Sequence, residues 1–372
     1  MEIIHIILGK ANPERMNGVN KVVYQLASKQ AAAGIKVSVW GITDTLERNY
    51  PERNFETLLF KKSMNPFHLN EQLKIEILKK NSQTIFHLHG GWLPLYSSLG
   101  NFLSGNKRKF LITAHGAYNT IAMQKSHYLK KIYFHFFEKK LLENAGRIHC
   151  IGNSETYGLQ NMYENNKTVL IPYGFDPENI NSRKKDDNAR ITFGFLGRLD
   201  IYTKGLDLMI DAFDNFQKEV PDSELWIAGS SNQAKQLEKT IRTKKLQNKI
   251  QLLGPKFGAE KNEILQQMDI FLHPSRNEGL PAAVLEAASF GKPCIVSTNT
   301  NIGEQVEKYN AGIVFSQMTP QKLTLAMHQI YKTWLDKQLF HEMESQAIKM
   351  VKYEFDWDII LNRLNTELYE NI

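Results

Sequence analysis

The stretch His273-Pro274-Ser275-Arg276-Asn277-Glu278-Gly279-Leu280-Pro281-Ala282-Ala283-Val284-Leu285-Glu286-Ala287-Ala288-Ser289-Phe290-Gly291-Lys292-Pro293 organises the rest of the chain. It reads as strand end, loop, short helix, stop. Pro281 suits the first turn of a helix, where a missing N–H is no loss, and Gly291 followed by Pro293 marks a helix exit. Glu278 then lies in the loop just ahead of a helix N-terminus, and Glu286 lies inside the helix. The N–H groups of Gly279, Leu280 and their neighbours are expected to be free at that N-terminus, whose partial positive charge favours phosphate. Two carboxylates flanking an anion site suit a ligand with hydroxyls at both ends and phosphate between. A sugar nucleotide has that chemistry.

At 372 residues the chain exceeds one ordinary core and implies two domains. A hydrophobic content of 42% with 23% charged residues is that of a folded globular protein. No apolar run approaches the roughly 18 residues of a membrane span. The opening Met1 to Leu8 has no basic flank and is too short for a signal peptide, so it reads as a buried first strand. Cys150 and Cys294 are the only cysteines, far apart in apolar runs, so neither a disulfide framework nor a cysteine metal site is expected. These features point to a cytoplasmic protein. The net charge of +7 is uneven: residues 1–180 hold 22 Lys and Arg against 14 Asp and Glu. That excess fits an anionic partner, such as a lipid surface or a phosphorylated acceptor, or a generally basic proteome.

Short apolar runs alternate with helical patterns along the first half. Strand candidates are Glu2 to Leu8, Val37 to Trp40, Thr84 to Leu88, Phe110 to Ala114 and Arg147 to Ile151. A loop from Gly9 to Gly18 leads into a helical pattern with Gly34 as its exit. It is neither a Walker loop nor a Gly-x-Gly-x-x-Gly fingerprint, and by itself fits turn chemistry better than phosphate binding. His115 and Gly116 follow the strand candidate Phe110 to Ala114. In an open parallel sheet strands present their carboxyl ends to the ligand, so His115 is placed to reach a substrate or to serve as a structural hydrogen bonder. His87 and His89 end the preceding strand. With His115 they form a trio to weigh as metal ligands, although no acidic residue stands beside them. Between Lys125 and Leu142, Leu129, Ile132, Tyr133, Phe136 and Phe137 recur at helical spacing, flanked by Lys130, Lys131, Lys139 and Lys140. Such a stripe fits core packing with a solvated opposite face, and it also fits a membrane interface.

A polar stretch, Asn181 to Asn188, is the expected linker. A second alternating series starts at Arg190 and continues with strands at Glu224 to Ala228, Ile250 to Leu253, Ile270 to His273, Pro293 to Ser297 and Gly312 to Phe315. Two βα series separated by a linker imply two doubly wound α/β domains. In the second, Gly197-Arg198 ends a strand and Lys204-Gly205 precedes a helix. Two cations beside free backbone donors suit a diphosphate; alone they are also an ordinary surface pair.

Together, Gly197-Arg198 with Lys204-Gly205, Glu278 with Glu286, Thr113-x-His115-Gly116, and Ile171-Pro172-Tyr173-Gly174-Phe175-Asp176 resemble the retaining glycosyltransferases of family 4 (glycosyltransferase group 1). The resemblance covers nearly the whole chain. It implies the GT-B fold, an α/β architecture of two Rossmann-like doubly wound domains facing across a cleft. The expected divisions are 1–180 as the acceptor-side domain, 189–355 as the nucleotide-sugar-binding domain, and 356–372 as a C-terminal helix crossing back to the first. The resemblance also implies that Arg198 and Lys204, with Gly197, bind the donor diphosphate, and that Glu286 binds the ribose hydroxyls. Glu278, Gly279 and Leu280 sit around the donor sugar and distal phosphate. His115 faces the sugar, and the Gly18 loop approaches phosphates or acceptor. Two positions depart from the family: Asn17-Gly18 stands where two glycines are common, and Tyr173 where Asn is common.

The implied reaction is a metal-independent transfer with retention, from a UDP- or GDP-sugar to a glycan or lipid-linked acceptor in cell-surface polysaccharide synthesis. Charge growing on the leaving diphosphate is then stabilised by Arg198 and Lys204. No cofactor beyond the donor substrate and no nucleic-acid partner is expected. A peripheral position at the inner face of an anionic membrane, through the first domain, fits the basic half. A nucleotide-sugar 2-epimerase-type enzyme and a non-catalytic sugar-nucleotide-binding protein are the alternatives; product analysis without acceptor separates the first, and binding without turnover the second.

Overall fold

The computed structural model describes residues 1–13, 18–124, 126–177 and 190–372. The expected linker 181–188, together with Asn17 and Lys125, lies outside the described residues. The chain divides into two compact units, Met1–Gly174 with Trp357–Ile372, and Phe175–Asp356.

The first unit holds seven parallel strands: β1 (Glu2–Leu8), β2 (Lys36–Thr43), β3 (Glu56–Lys61), β4 (Ile85–His89), β5 (Lys109–Thr113), β6 (Arg147–Cys150) and β7 (Thr168–Leu170), in the order 3-2-1-4-5-6-7. β1 and β4 are buried from end to end apart from the edges of β1, as expected where helices cover both faces of a parallel sheet. Strands β3 and β7 have no counterpart among the sequence expectations. They are the two edge strands, β3 with only two buried residues and β7 with three residues and none buried, and their apolar runs are no longer than two or three residues.

One face of this sheet is capped by the C-terminal segment. Trp357, Ile360, Leu361, Leu364, Leu368 and Tyr369 pack on Ile3, Leu26, Ile85, Leu111 and Ile171. Gly174 lies against the Trp357 ring, where a Cβ would come within 2.3 Å.

The aromatic stripe after Lys125 divides: Tyr133 and Phe137 are partly buried against Trp92 and Phe67, whereas the rest stays out of the core, contrary to the first of its two expected readings. Tyr128, Leu129, Ile132 and Phe136 are exposed by 81, 70, 58 and 65%. The helix His127–Tyr133 passes into a π-helical stretch, Phe134–Glu138, before Lys139–Asn144. Widening the turn rotates the face by about one residue. Glu138, Leu141 and Leu142 become the inward residues, and Leu129, Ile132 and Phe136 face outward.

The second unit holds six parallel strands: β8 (Ile191–Leu196), β9 (Ser223–Ala228), β10 (Ile250–Gly254), β11 (Ile270–His273), β12 (Cys294–Ser297) and β13 (Gly312–Phe315), in the order 10-9-8-11-12-13. Leu206, Met209, Ile210, Phe213 and Phe216 of the helix Leu206–Glu219 recur at helical spacing and bury against Ile191, Phe193 and Phe195. In both units the strand order reverses between two neighbours, β1/β4 and β8/β11. The carboxyl ends of such a pair form the ligand site of open α/β sheets.

Candidate active site

In the second unit the loops leaving β8 and β11 are stitched together. The Arg276 N–H and the Ser275 hydroxyl both donate to the Thr203 carbonyl, at 2.8 and 2.9 Å. The Arg276 guanidinium forks onto Asp207 at 2.8 and 2.7 Å and lies over the Tyr202 ring. Gly205 has φ +67°, and a Cβ there would stand 2.0 Å from the Pro274 carbonyl. Only glycine permits that approach, which brings Lys204 beside the β11 loop.

This geometry joins Lys204 to Glu278. The Lys204 ammonium is ion-paired with Glu278 Oε2, both side chains being largely buried, and His273 Nε2 lies 3.3 Å from the same oxygen. Burial by itself raises the carboxyl's pKa. The His273 hydrogen bond and the Lys204 charge outweigh it and hold Glu278 at about 2, so it is ionised throughout the physiological range. His273 is itself pushed down by burial, against the pull of Glu278, so it stays neutral and donates from Nε2.

Glu286 lies in the helix Ala282–Ser289, as expected, and pairs with Lys261 at 3.2 Å. Pro281 caps this helix rather than beginning it, one residue from its expected place. The N–H groups of Gly279, Leu280, Ala282 and Ala283 have no acceptor among the described residues. Arg198, just beyond Gly197 at the end of β8, has a side chain 67% exposed and 3.4 Å from Asp200. Each glutamate is thus matched by a lysine. The free backbone donors and Arg198 leave the loop pair favourable to an anion.

Lys261, His273 and Arg276 were not assigned roles from sequence. Lys261 comes from the helix Gly258–Gln267 and meets Glu286 through tertiary packing, which no local spacing encodes. His273 did carry a signal: it ends a strand at the switch point, the same argument applied to His115.

In the first unit His115 follows β5 with φ +55°, and the turn is fixed by Glu155, whose carboxylate accepts the Gly116 N–H at 2.7 Å. Burial raises the Glu155 carboxyl to about 7 despite its backbone donors. Gly18 begins the helix Gly18–Ala32, is exposed, and among the described residues has nothing within 4 Å of where a Cβ would stand. His87 and His89 share a face of β4, and His5 is paired in register with His87. His5, His87 and His89 bring ring nitrogens within 4.8 Å of one another. His115 is joined to that group through His89 by a hydrogen bond of 2.9 Å.

These two switch-point sheets define a GT-B architecture. Solved structures agree over the whole chain: sucrose-phosphate synthase from Thermosynechococcus elongatus (TM-score 0.72, 17% identity, 100% of both chains) and Anabaena Alr3699/HepE in complex with UDP and glucose (TM-score 0.70, 17% identity, 100% of both chains). The family model Glycosyltransferase Family 4 matches residues 16–179, and Glycosyl transferases group 1 matches residues 176–350. The chain belongs to the group 1/family 4-like glycosyltransferases, enzymes that transfer sugars. Among curated relatives, the phosphatidylinositol N-acetylglucosaminyltransferase GPI3 subunit of Saccharomyces cerevisiae is 25% identical over 245 residues, covering 62% of this chain and 52% of that protein. The chain thus spans about half the length of this relative. Among the described residues, no helix is long and apolar enough to cross a membrane.

Proposed function

We propose that the protein is a retaining, metal-independent glycosyltransferase that moves a sugar from a UDP- or GDP-sugar to a glycan or lipid-linked glycan acceptor in cell-surface polysaccharide synthesis. The observation that carries the reading is the loop pair at the β8/β11 switch point, with Arg198, the paired Lys204 and Glu278, and free N–H groups at one helix N-terminus. Arg198 and Lys204 stabilise the charge that grows on the leaving diphosphate, each such donor contributing about 3 kcal/mol. Glu278 and the N–H groups of Gly279 and Leu280 hold the donor sugar and distal phosphate. Glu286 takes the ribose hydroxyls, and Gly197 lets the backbone approach the diphosphate. His115 and Gly18 serve from the first unit. The transfer passes through an oxocarbenium-like state on one face of the sugar, with the departing phosphate oxygen taking the acceptor's proton. The solved Anabaena protein with UDP and glucose supports the donor class.

A lipid-linked acceptor is supported by the first unit's surface. Beside the outward residues, the Phe137 ring packs at a tilt on Phe67 with centroids 4.9 Å apart, and an apolar cavity of about 160 Å³ opens among Leu8, Pro66, Leu93, Pro94 and Leu95. The test is a thermal-shift and turnover screen over UDP-, GDP-, ADP- and dTDP-sugars, with the anomeric configuration of the product read by NMR. Retained configuration, insensitivity to EDTA, and loss of transfer in Arg198→Ala and Lys204→Ala are expected. Transfer within a few-fold of wild type in both variants, abolition by EDTA, or inversion overturns the reading.

A further inference from the structure

Nine hydrogen bonds run without a break through the first unit, from the Tyr173 hydroxyl through His115, His89, His5, Gln30, Tyr369, His87, Thr113 and His149 to the backbone carbonyl of Ile171. The chain begins and ends on one short loop. Its histidines share a sheet face because His87 and His89 are two residues apart on β4, His5 pairs with His87, and His149 pairs with Thr113.

The Ile171 end sets the direction of every bond. A carbonyl only accepts, so His149 carries its proton on Nε2, 2.7 Å away. Its Nδ1 must then accept from the Thr113 hydroxyl at 2.8 Å, and Thr113 in turn accepts from His87 Nε2 at 2.6 Å. His87 Nδ1 accepts from Tyr369, whose oxygen accepts from the Gln30 amide. The Gln30 carbonyl accepts from His5 Nε2, His5 Nδ1 from His89 Nε2, and His89 Nδ1 from His115 Nε2. The only role left to His115 Nδ1 is to accept from Tyr173. One tautomer, Nε2–H, satisfies all five rings without a charge or a clash of donors. Burial acts in the same sense: it lowers the pKa of His5 and His149 to about 4 and of His115 to about 3, and brings His87 and His89 well below the usual range.

His115 therefore has no ring nitrogen to offer a ligand. Tyr173 has its proton committed to His115, and among the described residues its oxygen has no other partner. It is half-buried, beyond the carboxyl end of β7, where a parallel sheet meets its ligand. We propose that Tyr173 is the side chain with which this unit accepts a hydrogen bond from a substrate sugar hydroxyl, and that His115 is a positioning residue locked behind it by the one-way chain. The proposal rests on the glycosyltransferase reading for its substrate and refines it by exchanging the ligand-contacting residue.

The test has two arms. Long-range ¹H–¹⁵N NMR of the full chain with labelled histidine, assigned by single His→Gln variants, reads tautomers without substrate. At pH 7.5 all five rings are expected with protonated Nε2 and bare Nδ1, and His115 is expected to remain so in Tyr173→Phe, because its tautomer is set from the Ile171 end. An Nδ1–H tautomer or an imidazolium at any of the five, or Zn²⁺ taken up stoichiometrically by His5, His87 and His89, overturns the chain. In the second arm, Tyr173→Phe is expected to lower kcat/KM about tenfold with the fold intact. Wild-type kinetics in Tyr173→Phe overturns its contact with substrate. A wild-type protein that turns over no nucleotide sugar instead overturns the glycosyltransferase reading and leaves the tautomer result standing.

Discussion

Lys204 and Glu278, 74 residues apart, share one ion pair at the β8/β11 switch point, and His273 Nε2 lies 3.3 Å from the same carboxylate oxygen. Lys204 cancels a charge that would otherwise repel a diphosphate while remaining beside the helix N-terminus that would bind it. Lys204→Ala should therefore lower kcat by about two orders of magnitude, the effect of one lost transition-state donor of about 3 kcal/mol. It should also raise the Glu278 carboxyl from about 2, since one of the two partners holding it down is gone. Steady-state kinetics and carboxylate titration by NMR check the two consequences, and Lys204→Arg should recover part of each.

Glu278→Gln separates binding from transfer. Removing the carboxylate leaves Lys204 unpaired toward phosphate, so the affinity for the nucleoside diphosphate product should hold or rise while sugar transfer falls at least tenfold. Calorimetric titration of UDP and GDP beside turnover is the measurement. Weaker diphosphate binding in this variant would mean that Glu278 organises the loop rather than faces the sugar.

Glu286 sits a helix turn and more beyond Glu278, tethered by Lys261 at 3.2 Å. As a ribose contact it binds substrate and transition state alike, and such uniform binding appears in KM. Glu286→Gln should raise the donor KM about tenfold with kcat within a few-fold. Lys261→Ala, which only frees the carboxylate to move, should do less.

Much of this was legible in the chain, and the reasons differ by element. Buried parallel strands are apolar runs, so β1, β4 and β11 could be read directly, whereas β3 and β7 are edge strands whose apolar runs are short and only partly buried. Pro281 and Gly291 punctuate the helix carrying Glu286 because local sterics govern helix ends. The Lys261 contact and the histidine chain were not legible, since the first is made by the packing of two helices and the second by sheet register, each between distant residues. The stripe from Leu129 to Phe137 was seen but not its direction, which depends on a π-helical turn that periodicity at 3.6 residues cannot anticipate.

Acid should weaken the first unit early. His5, His115 and His149 are held neutral when folded, at about 4, 3 and 4, against about 6.5 unfolded, so the unfolded chain binds more protons between those values. Their contribution is complete above pH 6.5 and is lost as pH falls toward 4. Glu155 at about 7 and Glu138 at about 6 act in the opposite sense, because burial makes the folded state hold their protons more tightly as pH falls from 7 to 4.5. Five lowered histidines outweigh two raised carboxyls, so the net slope is destabilising. Thermal unfolding should show Tm falling between pH 6.5 and 5. Glu155→Gln should steepen the fall by removing one of the opposing groups, provided the variant folds at pH 7.5.

The outward stripe of the first unit gives the remaining prediction. Tyr128, Leu129, Ile132 and Phe136 stand exposed on one segment with Lys131, Lys139 and Lys140, apolar groups beside cations in the pattern of a surface that lies on anionic lipid. Each lysine near such a surface contributes about 1 kcal/mol, and an inserted aromatic or branched side chain about 2 kcal/mol. The protein should float with phosphatidylglycerol-containing vesicles and not with neutral ones, and about 0.5 M salt, which shortens the screening length to roughly 4 Å, should weaken binding without abolishing the apolar part. Ile132→Glu with Phe136→Glu should lower vesicle affinity about a thousandfold while leaving turnover on a water-soluble acceptor unchanged. Failure of the wild-type chain to bind anionic vesicles at low salt would remove the membrane from the account and leave the soluble transfer reaction intact.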